Sequence, residues 1–263
     1  MAPEEHEQTL GKHYQALYAA WGAQHWWPGE TQFEVILGAY LTQNTSWINV
    51  ERALENLRAA GVLNLEGIRK IRLSRLERLI RPSGYFRQKA ARIKRFVAFL
   101  DREHGGSLEI LFSQPTQKIR EQLLSLNGVG PETADSILLY AGNHPVFVVD
   151  AYTRRVLDRH RILPAKADYE EIRQLFEHAL QRVAEHRQSS RVGDKGERRN
   201  ANPAVILPTT AHSPSAMSRA RRSELVQIYN EMHGLLVGVG KHFCGKSQPQ
   251  CDECPLQPFL PAR

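Results

Sequence analysis

Asp150 closes the apolar run of "FVVDAYTRR" (residues 147–155) and stands directly before a basic, helix-like stretch. A carboxylate so placed has two uses. As an N-cap, its oxygen accepts the unpaired amides of a first helical turn. Left ionised, it can stabilise developing positive charge or take a proton from water. Upstream, "LLSLNGVGPETADSILLYA" (123–141) sets Gly128 and Gly130 between two periodic apolar segments, with Pro131 suited to the first turn of the second. The glycines permit a tight hairpin, and the amides at the start of the second helix can hold a phosphate. The same pattern serves equally to join two packed helices. A third group is Cys244, Cys251 and Cys254, the chain's three cysteines. So close together, they are not the spread, paired set of a secreted disulfide framework, and they point to a reducing cytosol.

The elements that must position these groups are helical. From Thr9 to Leu180 apolar residues recur at three- and four-residue spacing, as in Val35, Ile36, Ala39 and Tyr40, or Ile119, Leu123 and Leu126. Breaks such as "PGE" at 28, "RPSGY" at 81, "HGG" at 104 and "GNHP" at 142 cut the pattern into short and medium helices. No alternating strand set and no solenoid-length repeat is present. Residues 186–222 lose the apolar period and become rich in Ser, Arg, Asn, Gly and Pro, which predicts an exposed, flexible basic insertion. Helical pattern resumes at Glu224.

The 263 residues are enough to bury a core without disulfides or metals. The early acids of "MAPEEHEQTLGKHY" do not form a targeting segment, and no run approaches the roughly 20 apolar residues that span a bilayer. The expectation is a soluble, cytosolic, monomeric protein with no membrane partner. Its net charge of +7 suggests a polyanion. Arg187 to Arg222, however, hold eight Lys and Arg against Asp194 and Glu197, so most of the surplus lies in the insertion.

A glycine hairpin followed some twenty residues later by "VVD" and a basic helix resembles the helix-hairpin-helix DNA glycosylase superfamily, which includes endonuclease III. "LGAYLTQNTSWINV" (37–50) fits the same family. "HWWPGETQFEVILGAYLTQNTSW" and "IRPSGYFRQKAARI" are similar to its 3-methyladenine DNA glycosylase III branch. The resemblance covers residues 14–180 and 224–254. It implies an all-α fold of two helical subdomains, 30–140 and 1–29 with 141–263, a helix-hairpin-helix at 116–141, and a lesion cleft between the subdomains. It further implies a base excision repair enzyme whose partner is duplex DNA with a damaged, flipped-out base. Asp150 would be its catalytic carboxylate, Trp27 and Trp47 its base-facing indoles, and Gln43 the side chain filling the gap left by the base. Gly128 and Gly130 would grip the DNA backbone, with Arg87, Lys89, Lys94, Arg154 and Arg155 as further contacts.

Two departures matter. Bifunctional members carry a lysine two residues after the hairpin's second glycine, where it attacks the sugar; here that residue is Glu132. A monofunctional enzyme using water, acting on an alkylated purine, is therefore expected, with Glu132 in the base pocket. The bifunctional alternative acts on oxidised pyrimidines and cleaves abasic sites. A non-catalytic reader of damaged DNA is the alternative from another class. Cys244, Cys251 and Cys254 match three ligands of the family's 4Fe-4S loop, but Leu260 stands where the fourth cysteine belongs. The three thiols suit a cluster completed by water or a group such as His242, zinc with a histidine, or no metal at all.

Overall fold

The computed structural model describes residues 3–193 and 213–261. Its helices are α1 (Pro3–Trp21), α2 (Gln32–Leu41), α3 (Trp47–Ala59), α4 (Leu65–Lys70), α5 (Leu73–Leu79), α6 (Phe86–His104) and α7 (Leu108–Phe112). There follow α8 (Thr116–Leu124), α9 (Pro131–Ser136), α10 (Ala151–Arg159), α11 (Tyr169–Gly193), α12 (Ala216–Arg219) and α13 (Glu224–His242). Among the described residues there is no strand, and no helix is long and apolar enough to cross a membrane. The chain divides into two units: unit 1 is Met1–Pro28 with Pro145–Arg263, and unit 2 is Gly29–His144. The second crossing falls at 144/145 rather than at 140/141, because Ile137–Ala141 continues α9 as a π-helical turn inside unit 2.

Unit 2 is organised around α2. Its residues from Phe33 to Leu41 are all buried, as expected of a helix apolar on every face. Thr31 caps it, accepting the Glu34 amide at 3.1 Å, while the Glu34 carboxylate takes the Glu30 amide and the Arg58 guanidinium. Its far end is closed by a cation: the buried Lys89 Nζ donates to the carbonyls of Leu41 at 2.8 Å and Ser83 at 2.6 Å. α6, which supplies Lys89, buries Ala90, Ile93, Val97 and Leu100 along one stripe and stops at Gly105 in the left-handed region.

The α8–α9 hairpin is pinned by a buried ion pair. Arg120 of α8 grips Asp135 of α9 through two hydrogen bonds of 2.7 and 3.1 Å, which is the bidentate geometry that suits a guanidinium. Between the helices Gly128 has φ +85°, and a Cβ there would lie 2.0 Å from Arg92 Nε. The positive φ favours glycine at 128, and a larger residue would also displace the Arg92 side chain. Gly130 is different: its φ of −94° is open to any residue, and a Cβ would meet nothing within 4 Å. The turn needs one glycine rather than two.

Unit 1 has α13 at its centre, with every residue from Asn230 to Gly240 buried. Helix α10 packs on it at Gly240, where a Cβ would lie 2.1 Å from the Tyr152 ring. The preceding run Val146–Val149 is fully buried but forms no ladder. Its amides go to side chains instead: Phe147 N–H to Glu177 at 2.9 Å and Val149 N–H to the Tyr169 hydroxyl at 3.3 Å. Stacking of Phe147 on Phe176, 4.3 Å between centroids at 8°, fixes this run against α11.

The predicted insertion is only partly irregular. Residues to Gly193 extend α11, and Ser215 opens α12 with a reciprocal capping box to Ser218. Arg, Gln and Ser propagate a helix already nucleated, so a change of composition at 186 does not end it. Residues 194–212 lie outside the described residues.

Candidate functional site

Asp150 is the N-cap of α10, and its two carboxylate oxygens are used differently. Oδ1 accepts the Thr153 amide at 2.7 Å and the Thr153 hydroxyl at 2.9 Å. Oδ2 faces the imidazole Nε2 of His233, on α13, at 3.7 Å. Burial by itself raises the pKa of this carboxyl. The imidazole of His233, then the Thr153 amide and hydroxyl, more than offset it and hold Asp150 below the ordinary aspartate range. The capping and chemical uses of the residue are therefore compatible: one oxygen starts the helix while the other stays ionised.

Trp27, in the same unit, is 6% exposed and meets Trp26 edge-on, with centroids 5.6 Å apart at 72°. Ser215 donates its hydroxyl to the Trp27 carbonyl at 3.4 Å, so α12 is tied to this aromatic pair. Trp47 belongs to unit 2. It is the first residue of α3 and donates its indole N–H to Glu51 one turn later at 2.9 Å.

Gln43 is held by its whole amide group. Its Oε1 accepts from Arg92 at 2.7 Å, and its Nε2 donates to the Gly128 carbonyl at 3.1 Å and the Thr133 hydroxyl at 2.9 Å. The polar segment "TQNT" is thus fastened to the hairpin, with Arg92 as the clasp. Glu132 is exposed in the first turn of α9, where a negative charge suits the helix dipole.

The basic residues expected on the DNA backbone mostly make contacts within the chain. Lys89 is buried on the carbonyls described above, with its pKa lowered to about 8 by burial and then by Arg92. Lys94 donates to the carbonyls of Ile68 and Arg69, and Arg154 to those of Ala165 and Ala167. Arg155 binds the carbonyls of Cys244 and Gly240. Of the five, Arg87 is exposed, its guanidinium 5.7 Å from the Phe86 ring centroid.

The cysteines share one pocket. Cys244, Cys251, Cys254 and Leu260 line it together with Arg159 and His160. Arg159 donates to Cys244 Sγ at 3.0 Å and to the carbonyls of Gly245 and Lys246. Burial pushes the Cys254 thiol up to about 11; the Leu256 amide offsets part of this, and the two neighbouring thiols add to it. Among the described residues no three His, Cys, Asp or Glu side chains gather around one ion position, which disfavours a single zinc. Among the described residues the three thiols line this pocket without forming a metal-binding group. At the fourth position stands Leu260, and the histidine lining the pocket is His160 rather than His242.

Sequence reasoning missed His233, Arg92 and Thr153. Thr153 carried a readable signal, being three residues past a predicted N-cap. A single histidine in the apolar "NEMHGLLVGVG" and one arginine among several on α6 carry none.

Comparison with known proteins gives four findings. Residues 37–182 match the model of the HhH-GPD superfamily, described as base excision DNA repair proteins. A provisionally named DNA repair glycosylase of Methanocaldococcus jannaschii is 38% identical over 96% of both chains. Among solved structures, an H. pylori 3-methyladenine DNA glycosylase bound to 1,N6-ethenoadenine is 30% identical, with a TM-score of 0.66 over 88% of this chain and 95% of that one. An endonuclease III–DNA complex is 18% identical, with a TM-score of 0.65 over 99% and 95% of the two chains, and shares the fold.

Proposed function

We propose a hydrolytic, monofunctional reaction for this chain, which belongs to the HhH-GPD superfamily of base excision DNA repair proteins and is a DNA glycosylase. The observation that carries the reading is the ionised carboxylate of Asp150, with one oxygen bound into the helix cap and the other facing His233 rather than the cap. An N-glycosidic bond breaks with positive charge gathering on the sugar. Fixed negative charge at Oδ2 stabilises that oxocarbenium-like state and orients or deprotonates the attacking water. The base must first leave the stack, and the products are free base and an abasic site. Glu132 supports the monofunctional form, since a carboxylate cannot form the Schiff base that a lyase needs.

The proposed substrate is an alkylated purine. The likeness to a 3-methyladenine glycosylase supports this. So does Trp27, in the same unit as Asp150: an electron-rich indole favours a cationic, electron-poor base by about 0.5–2 kcal/mol. A cationic base is also a better leaving group, so binding need not supply the whole preference. Duplex DNA is the partner, with the hairpin at Gly128 and Gly130 proposed to grip its backbone and Gln43, once released from its clasp, to fill the vacancy.

Cys244, Cys251 and Cys254 would hold an iron-sulfur cluster, which would brace the 244–254 loop against α10 and stand apart from the excision step. Anaerobically purified protein should then be brown, with close to four irons per chain for a full cluster; colourless protein would remove the cluster from the proposal.

The function is tested by incubating the purified chain with duplexes bearing methylated, etheno and oxidised bases. Expected are free alkylated purine, strands that break only after alkali, and no adduct trapped by borohydride. A trapped adduct would overturn the monofunctional reading, and preferential release of thymine glycol would overturn the substrate.

A further inference from the structure

The role given to Asp150 leaves one buried polar side chain to be explained. His233 is 4% exposed at the centre of α13, inside an unbroken run of buried residues. An apolar residue would fill that space without giving up the hydration of an imidazole. The ring is also fixed in direction. Phe147 and Trp26 each meet it edge-on at 6.4 Å, at 79° and 64°, and Trp26 is close enough to the α13 backbone that a Cβ on Gly234 would lie 3.2 Å from it. Within this frame Nε2 is directed at Oδ2 of Asp150, the oxygen that the helix cap does not use.

We propose that His233 is a positioning residue for Asp150: its Nε2 holds Oδ2 in direction and keeps it charged, so that the carboxylate can cap α10 and face the reacting sugar at once. The proposal rests on the catalytic reading of Asp150. The interaction requires a hydrogen on Nε2, and no proton leaves His233 in the reaction. A separation of 3.7 Å is an electrostatic contact that can tighten to a hydrogen bond when charge develops on the substrate. Other charged or titratable groups on the surrounding elements are engaged elsewhere. Arg154 and Arg155 of α10 bind the carbonyls of Ala167 and Gly240, Glu177 of α11 takes the Phe147 amide and Arg173, and Glu231 of α13 takes the Gln24 amide and Gln227. Tyr169 accepts the Val149 amide, and His13 of α1 packs against His160. His233 is therefore the side chain that faces the oxygen the cap does not use, and with Thr153 it holds the carboxylate ionised.

The test compares the full-length wild-type chain with His233→Gln, which keeps a donor of similar reach without a cation, and His233→Leu, which keeps neither. Single-turnover release of base from dimethyl-sulfate-methylated duplex should slow on the order of tenfold in His233→Leu and less in His233→Gln. The acidic limb of the rate should move up by about one pH unit in both, because the imidazole contact that lowers the Asp150 pKa has been removed. Affinity for undamaged duplex should not change. The side-chain carboxyl 13C signal of Asp150 provides a readout independent of the lesion: its titration should move to higher pH in both variants. A fall in thermal stability with the limb and the carboxyl titration unmoved would mean a structural role and overturn the proposal. If neither variant folds, the wild-type carboxyl decides, since titration at or above the ordinary aspartate value refutes the contact. Asp150→Asn measured alongside separates the failures. If it is inert while His233→Gln matches wild type in rate and limb, the positioning role alone is lost; if it excises at the wild-type rate, the catalytic reading beneath it is lost as well.

Discussion

At the head of α10 the unpaired amides meet a carboxylate of the chain itself; at the head of α9 they meet Gly130, which makes no side-chain cap. Both starts carry the same partial positive charge, and both follow a loop that sequence marks out clearly. Asp150 fills its helix end from within and has an oxygen to spare. Gly130 has no side chain, and nothing of the chain lies within 4 Å of where a Cβ would be. A filled helix end fixes a side chain for chemistry, whereas an end left to glycine suits an anion supplied from outside.

The largest effect should come from the support beneath the glycine end. Asp135→Ala leaves Arg120 charged and buried without its partner, and unit 2 should lose about 3–5 kcal/mol in chemical denaturation. A loss below 1 kcal/mol would show that the hairpin stands without the pair. Next is the carboxylate end. Asp150→Asn keeps most of the cap but removes the charge, so excision should slow on the order of a hundredfold or more while stability changes little. A wild-type rate would reduce both helix ends to structural caps. The comparison can also be reversed at position 130: Gly130→Asp gives α9 an internal anion like that of α10. Stability should hold or rise by a few tenths of a kcal/mol, while duplex affinity at low salt should fall on the order of tenfold as phosphate is repelled. Unchanged affinity would mean that the α9 end is not an anion site.

The smallest effect is a linkage of stability to pH. Because the folded pKa of Asp150 is depressed, its ionised form contributes stability above the unfolded aspartate value, and this is lost as pH falls through the folded value. The gap in Tm between wild type and Asp150→Asn should therefore narrow on acidification from about pH 5 to 3. A constant gap would show that the cap and His233 do not depress this carboxyl.

Features settled by neighbours in the chain were legible in the sequence. Asp150 before a periodic segment, Pro131 after a glycine turn and the all-helical pattern are short-range signals, and each corresponds to a cap, a hairpin or a helix in the structure. Features settled by distant groups were not. A lysine at 89 shows its charge in the sequence but not its destination, which is the carbonyl end of α2. Arg154 and Arg155 were expected on phosphate, and they bind carbonyls of the 165–167 loop and of α13 that only the folded chain brings near. His233 is legible only from the packing of α13 against α10, since a polar residue in an apolar helix has no local signature. Even the second hairpin glycine looked like a requirement of the turn, and backbone geometry relieves it of that role.

Gly240 lies in α13 next to the cysteine loop, far along the chain from Asp150, and its hydrogen leaves the gap into which Tyr152 settles. Tyr152 is two residues from Asp150 on the same short helix. A methyl group at 240 cannot be absorbed by a flexible chain end, because what it strikes is the ring and the Cβ of Tyr152, 2.1 to 2.7 Å away. The helix must lean outward, and the carboxylate at its head must turn with it. Tolerance to substitution should therefore be narrow at this position, and its variants would present as slow enzymes with intact lesion binding, easily mistaken for defects of the active site itself.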